Sequence, residues 1–346
     1  MHKALYLHGA RDARIAAAPP PVPRNDTVPL TVAAVGLCGS DLHYYKDGGI
    51  GSATIAAPFV PGHEFAGRLL ADVPEFDLAA GDLVAVDPNE ACGQCPWCHE
   101  GHFNLCPNVK FIGAPPLHGA MTERLDVPRS HLVKLPPSFT PLEGVMLEPL
   151  GVAIHAVDLA KPRLLERVAL IGCGPIGLLI LEVLKVAGAG EILAVDPQPH
   201  RRDAAAKAGA SAVGPDLDVI HDATGGEGCP LVIEATNAPL GFRDAVRAAR
   251  IGGRVVLVGI PDGDTYTLPA AESRRRGLKI KFARRMGEVY PRAIDLVRAG
   301  KVDVTSMVTA EVGLDEAPEL FRRHAADEPG LIKSLIYPNG KERKGE

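Results

Sequence analysis

Four cysteines, Cys92, Cys95, Cys98 and Cys106, stand in the run C-x2-C-x2-C-x7-C. Zn²⁺ takes four such thiolates tetrahedrally at about 2.3 Å, and a closed set of four sulfurs leaves no position for a substrate. The spacing therefore predicts a structural zinc lobe over 88–110 whose metal holds a loop in shape. A second possible zinc set is Cys38, His63, Glu64 and Glu148, with the histidine and a carboxylate adjacent in Gly62-His63-Glu64. A mixed set of this kind with one open position can bind a hydroxyl and lower its pKa, as zinc lowers that of water from 15.7 to about 7.

A third pattern is G-x-G-x-x-G in Gly172-Cys173-Gly174-Pro175-Ile176-Gly177, directly after the apolar run Val168-Ala169-Leu170-Ile171. Strand, glycine turn and helix in that order suit a dinucleotide. Gly172 makes the tight turn, Gly174 lets backbone approach a pyrophosphate, and Gly177 lets the helix pack close to the strand, with the phosphate at the helix's positive end. Asp196 lies 24 residues beyond Gly172, close to the roughly 20 expected of the acid that holds a ribose diol. Its carboxylate accepts a 2′-hydroxyl and repels a 2′-phosphate, so the predicted cofactor is NAD rather than NADP.

The elements that must position these residues fall into two patterns. From 28 to 136, short β-rich runs (30–35, 83–86, 132–135) are separated by Gly, Pro and Asp clusters, which predicts a mainly β domain. From about 165, apolar strands alternate with helical segments at 167–171, 176–187, 191–195, 201–208, 231–235, 240–250 and 254–258, which predicts a parallel sheet with helices on both faces. After 285 come helices at 290–299 and 317–326 and a strand at 331–336. Residues 19–23, Pro-Pro-Pro-Val-Pro, predict a short extended connector. A chain of 346 residues accommodates two such domains.

Charge and cysteine use narrow the partners. A net charge of −5 gives no basic footprint for nucleic acid or an anionic membrane, which leaves small molecules. The first residues lack a signal peptide's apolar core, and the longest apolar stretch, 168–181, is too short to span a bilayer and contains three glycines and a proline. Seven cysteines, four of them in one metal-like cluster, fit a reducing compartment such as the cytoplasm. Cys173 and Cys229 read as buried small hydrophobes.

A four-cysteine lobe, a Cys/His/Glu set and a dinucleotide turn together resemble the zinc-containing medium-chain alcohol and polyol dehydrogenases. The segment Cys38-Gly39-Ser40-Asp41-Leu42-His43-Tyr44-Tyr45 is most similar to sorbitol, xylitol and L-idonate dehydrogenases, and the resemblance covers essentially the whole chain. It implies an α/β protein with a GroES-like, mainly β catalytic domain (1–150 and 286–346) and a Rossmann doubly wound parallel-sheet cofactor domain (151–285). It also implies that Cys38 and His63 bind the catalytic zinc, with Glu64 or Glu148 as third ligand, directly or through water. The simple alcohol dehydrogenases carry cysteine at the position of Glu148. Because Glu148 precedes Pro149, it is expected at a helix start, aimed outward.

By the same resemblance, Ser40 and His43 relay the proton, with Glu148, while Tyr44, Ile50, Phe111 and Arg285 line the substrate cleft. Arg201 lies beside the adenosine, and Pro175 and Ile176 join the glycines in holding NAD. Ala53 and Met286 stand where the sorbitol dehydrogenases carry aromatic side chains, which implies a wider, less selective cleft. The implied reaction moves hydride from a secondary hydroxyl of a polyol or sugar acid to NAD, in a homodimer or homotetramer with two zinc ions per chain. An aldose 1-dehydrogenase uses the same parts. A non-catalytic dinucleotide-binding protein would be expected to lose ligands or relay residues, and all six are present here.

Overall fold

The computed structural model describes residues 1–20, 24–263 and 265–342. Residues 21–23 of the expected connector lie outside the described residues. The chain forms two compact units, one of Met1–Glu148 with the segment from Val308 onward, the other of Pro149–Met307.

The first unit is built on a seven-stranded sheet among the described residues. Its order is Leu132–Lys134, Leu83–Val86, Glu64–Leu69, Thr27–Gly36, Lys333–Tyr337 and Val308–Gly313, with Arg124–Pro128 also paired to Thr27–Gly36. Register places Gly36 between two residues on neighbouring strands, opposite Glu64 on one side and Leu335 on the other. The C-terminal segment thus enters the first unit by strand pairing. The apolar alternation of these strands feeds a core that includes Leu30, Val32, Phe59, Phe65, Met121 and Phe321, all at most 2% exposed.

The second unit carries a six-stranded, all-parallel sheet in the order Ala212–Gly214, Ile192–Val195, Val168–Ile171, Cys229–Glu234, Ala249–Leu257 and Lys279–Phe282. Its central strands are continuous apolar runs, as burial on both faces requires. The strand order reverses between Val168–Ile171 and Cys229–Glu234, which is where an open α/β sheet binds ligands, beyond the carboxyl ends of its strands.

Two expectations are corrected. Glu148 does not sit at a helix start. It lies inside the helix Pro141–Ala160, with Pro149 in the helix interior. The helix begins earlier because Thr140 and Glu143 close a capping box, Glu143 N–H donating to Thr140 Oγ1 at 3.3 Å and Thr140 N–H to Glu143 Oε2 at 2.7 Å, with Pro141 at the first helical position. Residues 286–307, expected in the first domain, group with the second unit. There Met286 is buried against the face of Gly151, and Tyr290 and Ala293 of the helix Tyr290–Arg298 are buried as well.

Candidate active site

The mixed ligand set assembles around a helix start that the strand pattern had not indicated. Thr27–Gly36 ends just before Cys38, which is the N-cap of the helix Gly39–Asp47. Asp41, fully buried, accepts the Cys38 N–H at 3.0 Å with Oδ2 and the Gly62 N–H at 3.1 Å with Oδ1. One carboxylate therefore ties together the two backbone segments that present Cys38 and His63. Its Oδ1 also lies 3.7 Å from His63 Nδ1, a buried nitrogen with no hydrogen bond of its own. A carboxylate behind a metal-binding histidine orients the ring and raises its basicity.

Cys38, His63 and Glu64 bring ligand atoms within 4.8 Å of one another. Glu148 is not part of that group but is buried beside it, facing His63, Glu64, Lys333 and Asp87. Burial, with Glu64 and Asp87 adding to it, pushes the Glu148 carboxyl up to about 7. Burial opposes a proton on His63, yet Asp41 and Cys38 outweigh it and hold the imidazole well above its usual range. Soft thiolate, imidazole and carboxylate gathered in a pocket of negative potential fit a zinc ion, which would take the place of that proton.

Lys333, like Asp41, is a site residue that sequence reasoning missed. Only 1% exposed, it pairs with Glu64 Oε2 and donates to the Leu37 carbonyl at 3.1 Å. Burial works against its charge, but Glu64 and Cys38 raise its pKa. A Cβ on Gly36 would strike the Glu64 carboxylate and stand 3.2 Å from Lys333 Cε, so the glycine is what lets this pair cross the strand.

The residues expected in the relay and cleft are placed as follows. Ser40 Oγ lies 3.5 Å from His63 Nε2. His43 is buried on the same helix, its Nδ1 3.4 Å from Asp47 Oδ2. The Phe111 ring lies 5.3 Å from that of His63. Tyr44 is buried edge-on against Phe59, and Ile50 and Ala53 pair in a two-stranded ribbon. Arg285 belongs to the second unit, where its backbone takes a left-handed φ of 52°.

In the cysteine lobe, Asn89–Glu90 pairs with Lys110–Phe111 and closes the base. Cys95 caps the short helix Pro96–His99, its Sγ 3.4 Å from Cys98 Sγ and 3.9 Å from Cys106 Sγ. Tetrahedral zinc with bonds of about 2.3 Å needs sulfurs about 3.8 Å apart. The four sulfurs lie within 4.8 Å of one another, so the lobe fits the metal. The Gln94 N–H draws the Cys92 thiol down to about 6, while burial pushes Cys98 up to about 12. Four thiolates this close repel one another, and a divalent cation relieves that repulsion. Cys98→Ser is expected to remove about one zinc per chain and lower Tm by about 5 °C, roughly 2 kcal/mol. Trp97, the only tryptophan, sits on the lobe helix and reports its state by fluorescence; an unchanged metal content would show that the lobe binds no zinc.

At the glycine turn, Gly172 has φ 98°, and a Cβ there would stand 2.5 Å from Thr236 Cγ2. A Cβ on Gly177 would strike the Gly172 carbonyl, whereas the space beside Gly174 is open. Pro175 and Ile176 open the helix Pro175–Val186, whose N-cap is Gly174, as a phosphate cradle requires. Asp196, 2% exposed, accepts the Cys173 N–H and the Gln198 N–H, each at 2.9 Å, and each oxygen keeps a further lone pair for a ribose hydroxyl. Arg201 lies at the start of the next helix, Pro199–Lys207, with a buried Nε that makes no hydrogen bond.

Comparison with known proteins gives the same two-part division. Residues 24–137 match the alcohol dehydrogenase GroES-like domain, and residues 175–299 match the zinc-binding dehydrogenase domain. The chain is 33% identical over 343 residues to sorbitol dehydrogenase of Bacillus subtilis, with 97% of each chain covered. It is 34% identical over 319 residues to a probable D-xylulose reductase A of Aspergillus clavatus, covering 89% of this chain and 88% of that one. Among solved structures, the L-idonate 5-dehydrogenase of Escherichia coli superposes with a TM-score of 0.87 at 27% identity, over 97% of this chain and 98% of that one.

Proposed function

We propose that this chain, which belongs to the zinc-containing medium-chain alcohol dehydrogenase family, oxidises a secondary hydroxyl of a polyol or sugar acid to the ketone with NAD as hydride acceptor. The observation that carries this reading is the buried cluster of Cys38, His63 and Glu64, with Glu148 and Lys333 against it. Cys38, His63 and Glu64 would hold the catalytic zinc, and Cys92, Cys95, Cys98 and Cys106 the structural one. When bound, the catalytic zinc supplies a Lewis acid that makes a hydroxyl acidic near neutral pH.

The chain's own residues do the rest. Asp41 fixes the His63 ring, and Lys333 holds Glu64 and offsets the excess negative charge of Cys38 and Glu148. Ser40, next to His63, accepts the proton of the substrate hydroxyl as it passes its own on to His43, with Glu148 as a further acceptor. Tyr44, Ile50 and Phe111 line the cleft, and Arg285, whose guanidinium offers several donors, would bind a chain of hydroxyls.

The names of the two curated relatives and of the solved neighbour support a polyol or sugar acid as substrate. The seven cysteines, all unpaired as disulfides, suit a reducing compartment such as the cytoplasm. The reading includes two zinc ions per chain and a homodimer or homotetramer. Among the described residues no helix is long and apolar enough to cross a membrane.

Two experiments test it. A polyol deuterated at a secondary carbon is expected to yield a ketone and deuterated NADH in equal amounts; a lactone formed from an aldose, with polyols inert, would overturn the substrate class. Asp196→Ala is expected to raise KM for NAD about tenfold, ~1.4 kcal/mol, and to leave KM for NADP nearly unchanged. A lower KM for NADP than for NAD in the unsubstituted protein would overturn the cofactor assignment.

A further inference from the structure

Glu234 is a fully buried carboxylate that neither the metal cluster nor the ribose site uses. It is the last residue of the strand Cys229–Glu234, beside Val168–Ile171, where the strand order reverses. Its Oε1 accepts the Thr236 N–H at 2.6 Å, and its Oε2 accepts the Gly259 N–H at 3.2 Å. Thr236 belongs to the loop after its own strand, Gly259 to the loop after the neighbouring strand Ala249–Leu257.

The two loops are joined again by Asp262 N–H donating to the Asn237 carbonyl at 3.0 Å and Asn237 Nδ2 donating to Asp262 Oδ1 at 3.2 Å. Space between them is exhausted. A Cβ on Gly259 would strike the Thr236 carbonyl, and a Cβ on Gly241, at the start of the next helix, would lie 3.3 Å from Glu234 Oε1. Thr236 and Ala235 in turn pack against Gly172 of the dinucleotide turn. A doubly wound sheet holds a dinucleotide with one mononucleotide on each half, across the reversal point. Asp196 serves the half built on Val168–Ile171 and Ile192–Val195; the Glu234 loops crown the other half.

We propose that Glu234 is a positioning residue for the nicotinamide half of the cofactor: its carboxylate fastens the loops at 235–238 and 259–262 into one arrangement at the mouth of the crevice. The assignment rests on the dinucleotide reading above. Both oxygens accept most strongly when the group is ionised; a protonated carboxyl accepts more weakly and carries an O–H for which neither N–H is a partner.

Burial pushes the Glu234 carboxyl up to about 7, against the pull of the Thr236 and Gly259 N–H groups. Tyr266, which donates to the Gly259 carbonyl at 3.1 Å, is the titratable side chain facing it, and its own pKa is raised by burial and by Glu234. On the adjoining helix Pro239–Ala248, Arg243 pairs with Asp244, and Arg247 pairs with Glu272. The clamp therefore tightens as pH rises through about 7. Its effect on stability has the opposite sign. A buried acid whose folded pKa is raised above the usual value contributes stability at low pH, and that contribution is lost as pH rises through the folded value.

Calorimetric titration of the zinc-loaded protein with NADH and with ADP-ribose separates the two halves. Glu234→Gln is expected to weaken NADH binding about tenfold at pH 8 and to leave ADP-ribose within about twofold. In the unsubstituted protein, the ratio of NADH to ADP-ribose affinity is expected to rise severalfold between pH 6 and pH 8, a measurement that needs no variant. Equal weakening of both ligands, no weakening of either, or a flat ratio across that range would overturn the assignment. Failure of the unsubstituted protein to bind ADP-ribose at all would instead overturn the dinucleotide reading, and this assignment with it.

Discussion

His63→Ala is expected to lower kcat/KM for the best substrate by at least about a thousandfold, ~4 kcal/mol, and to reduce bound zinc from about two ions per chain to about one. Cys38, His63 and Glu64 are held within ligand distance of one another, and Asp41 ties the first two backbones together, so removing the imidazole leaves two ligands for a metal that takes three from the protein. The cysteine lobe has a small core of its own, Cys95, Cys98 and Cys106 packed with Phe103 and Val109. Trp97 fluorescence should therefore not change, and the remaining zinc should resist weak chelators. Full activity with one zinc lost, or two zinc ions retained with activity lost, would show that the metal set is misassigned.

Lys333→Met is expected to destabilise the zinc-free protein by about 3–5 kcal/mol, because removing one partner of a buried ion pair leaves the other charge uncompensated. Here the stranded charge is Glu64, 1% exposed, with Glu148 and the Cys38 thiol close by. Adding Glu64→Gln removes that charge as well, and the double variant should recover most of the lost stability while remaining inactive. Denaturant unfolding of the four proteins in the cycle checks it. A single variant within about 1 kcal/mol of the parent, or a double variant no more stable than the single, would show that the pair does not compensate these carboxylates.

The parts of this site that were legible in the sequence are those whose chemistry is local. The cysteine run, the glycine turn and Asp196 each carry ligand type and spacing within a short stretch, and the strand–helix alternation around them marks the parallel sheet. Two short strands of that sheet were not legible. Ala212–Gly214 is too brief to show a period, and Lys279–Phe282 alternates lysine with apolar residues as a strand at the sheet's edge does.

Lys333 had no local signal, since it reaches Glu64 across 269 residues of sequence by strand pairing around Gly36. Asp41 did have one. Three residues beyond Cys38 and beside Ser40, it is the N3 acid of a capping box, and reading Cys38 as an N-cap would have exposed both the helix and the buried carboxylate. Glu148 differs from expectation because Glu148-Pro149 resembles a helix start, although Thr140-Pro141-Leu142-Glu143 carries the stronger start signal eight residues earlier. The limit at 285 failed for a different reason. The helix Tyr290–Arg298 has an amphipathic pattern that fits either unit, and only packing decides between them.

Zinc-dependent, NAD-linked oxidation of a secondary hydroxyl is followed directly by absorbance at 340 nm. The zinc-loaded protein is offered NAD with polyols, sugar acids, aldoses and simple alcohols, with and without a strong chelator. Turnover of a polyol or sugar acid that the chelator abolishes and added zinc restores is expected. Turnover untouched by chelator, or none on any of these substrates while zinc and NAD are both bound, would contradict it.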